Sequence, residues 1–172
     1  YQMVDSSDYN APTKRIRLIA RFSLETMKEI VKPNICLKQK VSWWQAIKPF
    51  IYDLPINKLT IKQLKALSEV NQDKPLLIER CGYYYKPKIY PHMVQCPTIR
   101  AHVSIDDRGS YRRWANIIFE DVCYDVDIPH LGYLQGFPLN YNWGSNKGEA
   151  GRGIGNSVVP AVSHMVALSF GV

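Results

Sequence analysis

The clearest hydrophobic pattern near the start of the chain is a strict alternation over residues 15–22. Apolar side chains occupy every second position, and arginines occupy three of the four positions between them. The apolar residues are Ile16, Leu18, Ala20 and Phe22, and the arginines are Arg15, Arg17 and Arg21. Because successive side chains of a strand point to opposite faces, this pattern predicts a β-strand with one apolar face and one basic face.

Two short helices are predicted in the middle of the chain. Ser42 is a good N-cap for a helix with apolar residues at helical spacing from Trp43 onwards, and Pro49 should kink or shorten it. Thr60 and Gln63 have the capping-box spacing for a second helix, which should run to about Val70. We interpret both apolar stripes as core.

The rest of the chain predicts further short elements. Residues 76–85 have a strand-like pattern, residues 106–109 predict a turn, and residues 129–134 predict a short helix ending at Gln135 and Gly136. Six of the ten glycines lie between Gly136 and Gly155, which predicts a glycine-rich loop. A helix is expected over residues 158–170, with Ser157 as its N-cap and Pro160 in its first turn.

Length, composition and charge limit the classes of protein to which this chain could belong. The 172 residues are 46% apolar, which suits one domain, or one small domain with pieces of another. No apolar run is long enough for a transmembrane helix, and the acidic start is unlike a signal peptide. The first residue is not Met, so we expect a cut or partial polypeptide. A net charge of +7 is compatible with binding to nucleic acid.

The cysteines predict neither a metal site nor a disulfide framework. Cys36, Cys81, Cys96 and Cys123 form no Cys-x-x-Cys pair, and the four histidines are scattered. Free thiols in a reducing compartment are therefore expected.

Two motifs near the end of the chain carry a family resemblance. Residues 134–138 read Leu-Gln-Gly-Phe-Pro, and residues 155–160 read Gly-Asn-Ser-Val-Val-Pro. In this order and at this distance they resemble the last two sequence motifs of the DNA cytosine-5 methyltransferases. The resemblance implies that Asn156, Ser157 and Val158 help to hold S-adenosylmethionine. A glycine-rich loop that caps a core helix remains the alternative.

A third motif lies at residues 9–17. It is similar to the family pattern Tyr-Gly-x-Pro-Gln-x-Arg-x-Arg, with Asn10 in place of the Gly and Thr13 in place of the Gln. The resemblance places Arg15 and Arg17 in the catalytic pocket, where Arg17 is expected to hold the flipped cytosine through its ring carbonyl. A guanidinium group suits this role because it is a fixed fork of donors that stays charged.

Candidate DNA-binding residues lie in the middle of the chain. Arg80, Lys86 and Lys88 occur among several tyrosines, a mixture that suits contacts to phosphates and bases, although a solvated basic strand pair is nearly as good an interpretation. Residues 96–101 are similar to the Pro-x-x-Thr-Ile-x-Ala segment that closes the family's variable target-recognition region. This likeness implies that Thr98 lies near the DNA backbone. Arg100 is a candidate for the same reason as Arg80, Lys86 and Lys88, as a basic residue near aromatic ones.

Three parts of a complete methyltransferase are missing from these residues. They are the Phe-x-Gly-x-Gly cofactor loop, the Pro-Cys dipeptide that supplies the nucleophile, and the Glu-Asn-Val element; no Cys follows a Pro. A cytosine becomes nucleophilic at C5 only after a thiolate adds at C6, so we expect no catalysis by this chain alone. The expected partners are duplex DNA and a catalytic methyltransferase chain or a missing N-terminal segment, with no membrane.

Together these observations predict an α+β chain that is cytoplasmic, or otherwise intracellular with DNA. A small target-recognition domain of mixed strands and short helices should span residues 23–150. A strand within residues 1–22 and a C-terminal helix within residues 151–172 should belong to an α/β, Rossmann-like methyltransferase domain. The expected apolar interface with the missing part comprises Ile16, Leu18, Phe22, Val158, Val162, Met165 and Val166. The alternatives are a non-catalytic DNA-binding or regulatory subunit, and a nucleotide-binding module built on residues 151–155.

Overall fold

The protein is described by a computed structural model that covers residues 1–22, 30, 40–71, 73–80, 86–101 and 114–170. Within those residues it is a mixed α+β chain with two antiparallel sheets and five α-helices. The α+β class predicted from the sequence is therefore confirmed. Among the described helices, none has the length and apolar character needed to cross a bilayer.

A small sheet joins strands β1 (Gln2–Asp5) and β2 (Ile16–Ile19) in antiparallel register, with Met3 opposite Leu18 and Val4 opposite Arg17. The predicted alternating strand is thus confirmed over four of its eight residues, Ile16–Ile19. A 3₁₀ turn over Ser6–Tyr9 connects the two strands.

The two faces of this small sheet differ in their burial. Val4 and Ile19 pack against Val159 and Val162 near the end of the chain. Met3, Ile16 and Leu18 on the opposite face are exposed, by 61%, 47% and 57%. An uncovered apolar face was predicted and is confirmed for Ile16, Leu18, Phe22 and Val158.

Part of that predicted interface is wrong. Val162 is buried, and Met165 and Val166 are partly buried in the same cluster. The reason is that the last helix packs on the small sheet of this chain, so these side chains already have a partner.

A four-stranded antiparallel sheet forms the centre of the fold, in the order β4 (Ile89–Pro91), β3 (Leu76–Glu79), β5 (Ala115–Phe119) and β6 (Val122–Asp125). Leu77, Ile117 and Tyr124 belong to the main core on one face of this sheet. Ile78 and Ile118 alternate with them and pack on the other face.

Helices cover both faces of the central sheet. The main core also contains residues of α1 (Trp43–Ile47), α3 (Ile128–Leu134) and α4 (Lys147–Asn156), whereas α2 (Ile61–Leu67) packs on the opposite face. The structure therefore places α2 and α4 on opposite sides of the sheet.

The predicted N-cap at Ser42 and the predicted capping box of Thr60 and Gln63 are confirmed, and Ser42 also forms a capping box. Ser42 and Gln45 cap α1, and Thr60 and Gln63 cap α2. The chain changes to a 3₁₀ helix over Lys48–Asp53, because Pro49 has no N–H to continue the α-helical bonding. Helix α2 ends at Leu67, three residues before the expected end.

Helix α3 matches its predicted position and ends in the expected turn at Gln135 and Gly136. Asp127 accepts a hydrogen bond from the backbone N–H of His130 and so caps the helix. Gly136 has a φ of 95°, a conformation that favours glycine.

The predicted glycine-rich loop is wrong, because residues 147–156 form helix α4. The Asn146 side chain caps it by accepting from the backbone N–H groups of Gly148 and Glu149. Ala150 and Ile154 bury into the main core, and this packing outweighs the low helix propensity of glycine. Helix α4 also crosses the expected domain boundary at residues 150 and 151.

The predicted cap of the last helix is also wrong. Helix α5 spans Pro160–Leu168, and its N-cap is Val159, which makes no side-chain cap hydrogen bond. A residue before proline is held out of the helical region, so the helix cannot begin before Pro160. Ser157 instead ends α4, where its hydroxyl donates to the carbonyl of Ile154. The expected position of Pro160 in the first turn is confirmed.

Several predictions lie outside the described residues. These are the second half of the strand pattern (residues 81–85), the turn at residues 106–109, and the thiols of Cys36 and Cys81.

Candidate functional site

Two distant segments, residues 12–15 and 96–99, lie side by side at the candidate site. A parallel bridge joins Thr13 to Cys96, and the N–H of Lys14 donates to the carbonyl of Cys96 over 2.8 Å. The Thr98 hydroxyl donates to the carbonyl of Lys14 over 2.7 Å. The segment predicted to lie near DNA is therefore attached to the segment that carries the two arginines.

The Arg15 side chain joins a third segment to these two. Its Nη1 donates to the carbonyl of Ile99 over 3.0 Å, and its Nη2 donates to the carbonyl of Gly155 over 2.9 Å. Arg15 is only 6% exposed. Burial, followed by the nearby charge of Arg17, lowers the pKa of Arg15.

The end of helix α4 presses against the backbone at Arg100 and Ala101. A Cβ atom built on Gly155 would lie 2.2 Å from the amide nitrogen of Ala101 and 2.6 Å from the carbonyl carbon of Arg100. Only glycine allows this approach without a shift of one backbone.

These three segments enclose a cleft of about 610 Å³. Its lining residues are Arg15, Arg17, Thr98, Ile99, Arg100, Ala101, Gly155 and Asn156. Three arginines are in this set, and no carboxylate is among the described residues that line the cleft. Such a lining suits an anionic ligand or one that presents carbonyl oxygens.

Five of the residues singled out from the sequence meet at this cleft. They are Arg15, Arg17, Thr98, Arg100 and Asn156. Arg17 and Arg100 are exposed, and Nη1 of Arg17 donates to the carbonyl of Ile16 over 2.7 Å. Exposed guanidinium groups can turn toward a ligand, whereas that of Arg15 is held on both sides.

The other two predicted cofactor residues are not among the residues that line the cleft. The Ser157 hydroxyl is bound to the carbonyl of Ile154 at the end of α4. Val158 is 49% exposed. Of the predicted cofactor set, only Asn156 lines the cleft.

The remaining predicted DNA contacts lie outside the cleft. Arg80 donates from Nε to the Asn116 side chain over 3.0 Å, and its Nη2 lies 3.8 Å from a carboxylate oxygen of Asp125. Lys86 pairs with Glu69 on the surface. These two cations already have partners among the described residues.

Lys88 pairs with Glu79 through its backbone, because the N–H of Glu79 donates to the carbonyl of Lys88 over 2.9 Å. Burial raises the pKa of Glu79, while the hydrogen bond from Tyr90 and then the charges of Lys88 and Arg100 offset part of that rise. Lys88 is itself exposed. Unlike Arg80 and Lys86, Lys88 has no ion pair within the part of the chain that the structure describes.

Sequence reasoning missed a buried polar network between α2 and the central sheet. Gln63 donates to the Asn116 side chain over 2.9 Å, Asn116 donates to Asp125, and Asn57 donates to Asp125 over 2.7 Å. The network joins α2 to strands β5 and β6 and holds Arg80. The feature of the sequence that points to this network is Asn116, a polar residue within an apolar strand.

Neither described thiol has the properties of a nucleophile. Cys96 is fully buried, and burial followed by the charge of Glu79 raises the pKa of its thiol. Burial and then Asp125 raise the pKa of Cys123 to about 11. Nucleophilic cysteines depend on a lowered pKa, so both thiols are assigned to packing.

Thr13, which departs from the family pattern, is buried beside the segment 96–98. Its hydroxyl lies 3.4 Å from the carbonyl oxygens of Cys96 and Pro97. The side chain therefore faces that segment rather than the cleft.

Comparison of the sequence with models of protein families and with curated proteins finds no match in either set.

Proposed function

We propose that this chain is the DNA-recognition and C-terminal portion of a DNA (cytosine-5)-methyltransferase. The complete enzyme transfers a methyl group from S-adenosylmethionine to C5 of a flipped cytosine in duplex DNA. One observation carries the proposal: Arg17 and Asn156, which the resemblance assigns to the base pocket and the cofactor site, line one cleft although they lie far apart in the chain.

In this proposal the cleft residues contact different parts of the DNA and the cofactor. Arg17 is exposed and directs its donors to the ring carbonyl of the flipped base. Arg100 lies on the opposite segment, where an exposed cation suits the phosphate backbone. Thr98 holds this segment to Lys14 through its hydroxyl. Asn156 contributes a side-chain amide on the cofactor side. When bound, S-adenosylmethionine supplies the methyl group.

The nucleophile comes from another segment. No Pro-Cys dipeptide is present in the 172 residues, and the pKa values of Cys96 and Cys123 are raised. A thiolate that adds to C6 of cytosine needs the opposite shift.

An exposed apolar surface offers a place for that segment. We define it as the partner face: Met3, Ile16 and Leu18, which are exposed on one face of the small sheet. Phe22 and Val158 are exposed as well. A two-stranded sheet with one bare apolar face is marginal in water, and a contiguous apolar patch commonly marks an interface. We therefore assign the partner face to the segment that supplies the Pro-Cys and Glu-Asn-Val elements.

The proposal is tested by assembling the chain with a methyltransferase segment that carries the Phe-x-Gly-x-Gly, Pro-Cys and Glu-Asn-Val elements. Tritiated S-adenosylmethionine and unmethylated DNA are added, and label on cytosine C5 is measured. The expected result is incorporation that Arg17→Ala abolishes and Arg152→Ala leaves unchanged. Arg152 is a suitable control because it is an exposed arginine paired with Glu149 on α4.

The non-catalytic alternative predicts a different result in the same experiment. DNA binding without label on cytosine, in an assembly that is stable, would favour a DNA-binding or regulatory subunit. Incorporation that does not depend on Arg17 would contradict the assignment of the cleft.

A further inference from the structure

The three segments that form the cleft are held together by hydrogen bonds and by one close packing contact. Residues 12–15 and 96–98 are joined by backbone hydrogen bonds, such as Cys96 N–H to the carbonyl of Pro12 over 2.8 Å. The end of α4 packs on Arg100 and Ala101 at Gly155, and the Nη2 bond of Arg15 to the carbonyl of Gly155 adds a side-chain link at the same point. Arg15 therefore ties the two cleft walls together by hydrogen bonds beside their packing contact.

The guanidinium group of Arg15 has little capacity left for a ligand. One N–H on each terminal nitrogen is used by the carbonyls of Ile99 and Gly155. The Nε atom is buried and has no partner among the described residues. Arg15 lines the cleft but is only 6% exposed, so little of its side chain is accessible to a ligand.

We propose that Arg15 is a positioning residue that fixes the spacing of the two cleft walls, and that Arg17 alone of the pair contacts the ligand. One wall carries Thr98 and Arg100, and the other carries Asn156. A cation with two fixed donors is suited to hold two carbonyl oxygens at once, and a lysine ammonium does not reproduce that geometry.

Arg15 and Arg17 therefore have different roles, although the sequence pattern does not distinguish them. Arg17 lies in β2 and is exposed, whereas Arg15 precedes that strand and is buried. The statement about ligand contact rests on the proposed function. The statement about wall spacing rests on the hydrogen bonds of Arg15 and is tested without a ligand.

The test is amide hydrogen exchange of the chain without DNA, in the wild type and in Arg15→Met, Arg15→Lys and Arg17→Met. The reporter amides are those of Lys14, Cys96 and Ser157, whose hydrogen bonds lie on the three segments. We expect Arg15→Met to speed exchange at these amides by about tenfold or more relative to those of β5. Arg17→Met removes an equal charge two residues further along the chain and is the matched control. We expect its exchange rates to equal those of the wild type.

Arg15→Lys separates a positioning role from a role of charge alone, and it decides the matter if Arg15→Met does not fold. Positioning predicts fast exchange and weakened binding of duplex DNA in the lysine variant, because one of the two carbonyls loses its donor. Wild-type exchange in Arg15→Lys would overturn the proposal. If the wild type binds no DNA, the proposed function fails while the exchange result still decides the role of Arg15.

Discussion

Gly155 lies so close to Ala101 that a Cβ atom at position 155 would come within 2.2 Å of the amide nitrogen of Ala101. Helix α4 and the segment that ends at Ala101 therefore touch backbone to backbone. This contact sets one wall of the cleft against the other, and it depends on the absence of one methyl group.

The first prediction is a pair of glycine substitutions in α4. Gly155→Ala should lower the free energy of unfolding by roughly 3 kcal/mol or more, because a backbone must move. Gly153→Ala is the matched control: its Cβ would lie 3.9 Å from the Trp143 ring, and alanine should raise helix stability by up to about 1 kcal/mol. Urea unfolding measures both, and equal effects would contradict the close contact.

The second prediction concerns the buried network around Asn116. Asn116→Ala leaves Gln63, Arg80 and Asp125 without the partner they share. Unsatisfied buried groups, one of them charged, should cost about 3 kcal/mol or more. The exposed Asn142, whose side chain accepts from the N–H of Gly144, gives a control in which alanine should change stability by less than about 1 kcal/mol.

The sequence predicted the local elements better than their packing. Ser42 with Gln45 and Thr60 with Gln63 have side-chain oxygens at a fixed distance along the chain, so both caps could be read directly. Helix α4 could not, because its formation depends on burial of Ala150 and Ile154 against residues far away in the chain.

The sequence predicted which residues could belong to the candidate site, but it did not predict how they are arranged in space. The alternation of residues 15–22 places Arg15 and Arg17 on one face, but it carries no information on which one meets Ile99 and Gly155. Likewise, the basic character of Arg80 does not reveal that Asn116 and Asp125 hold it. Long-range contacts decide which charged side chain is available to a ligand.

The third prediction concerns the thiols. Because burial raises the pKa of Cys123 to about 11 and that of Cys96 as well, both should be almost entirely protonated at pH 8. Iodoacetamide should therefore modify them far more slowly in the folded chain than in the chain unfolded by urea, and the rate at Cys123 should rise as the pH approaches 11. Mass spectrometry of peptides measures this, and rapid labelling of folded Cys96 at pH 8 would contradict it.

The fourth prediction tests the partner face. Leu18→Lys should change the stability of the isolated chain by less than about 1 kcal/mol, because Leu18 is 57% exposed. The same change should weaken association with the catalytic segment at least tenfold, as a charge is placed in an apolar contact. Ile61→Lys is the control, since Ile61 is an exposed apolar residue on α2, which packs on the central sheet rather than on the small sheet. Sedimentation of the mixture measures the association, and equal effects would rule out a specific partner face.

The central claim is that the arginine-lined cleft binds duplex DNA, and the salt dependence of binding tests it most directly. Fluorescence anisotropy of a labelled duplex is measured from low to moderate salt for the wild type, Arg17→Ala with Arg100→Ala, and Arg152→Ala. Each lost phosphate contact should reduce the slope of log K against log salt by about 0.9. The double variant should therefore show a shallower slope and weaker binding, with Arg152→Ala close to wild type. An unchanged slope in the double variant, or no binding by the wild type at low salt, would contradict the claim.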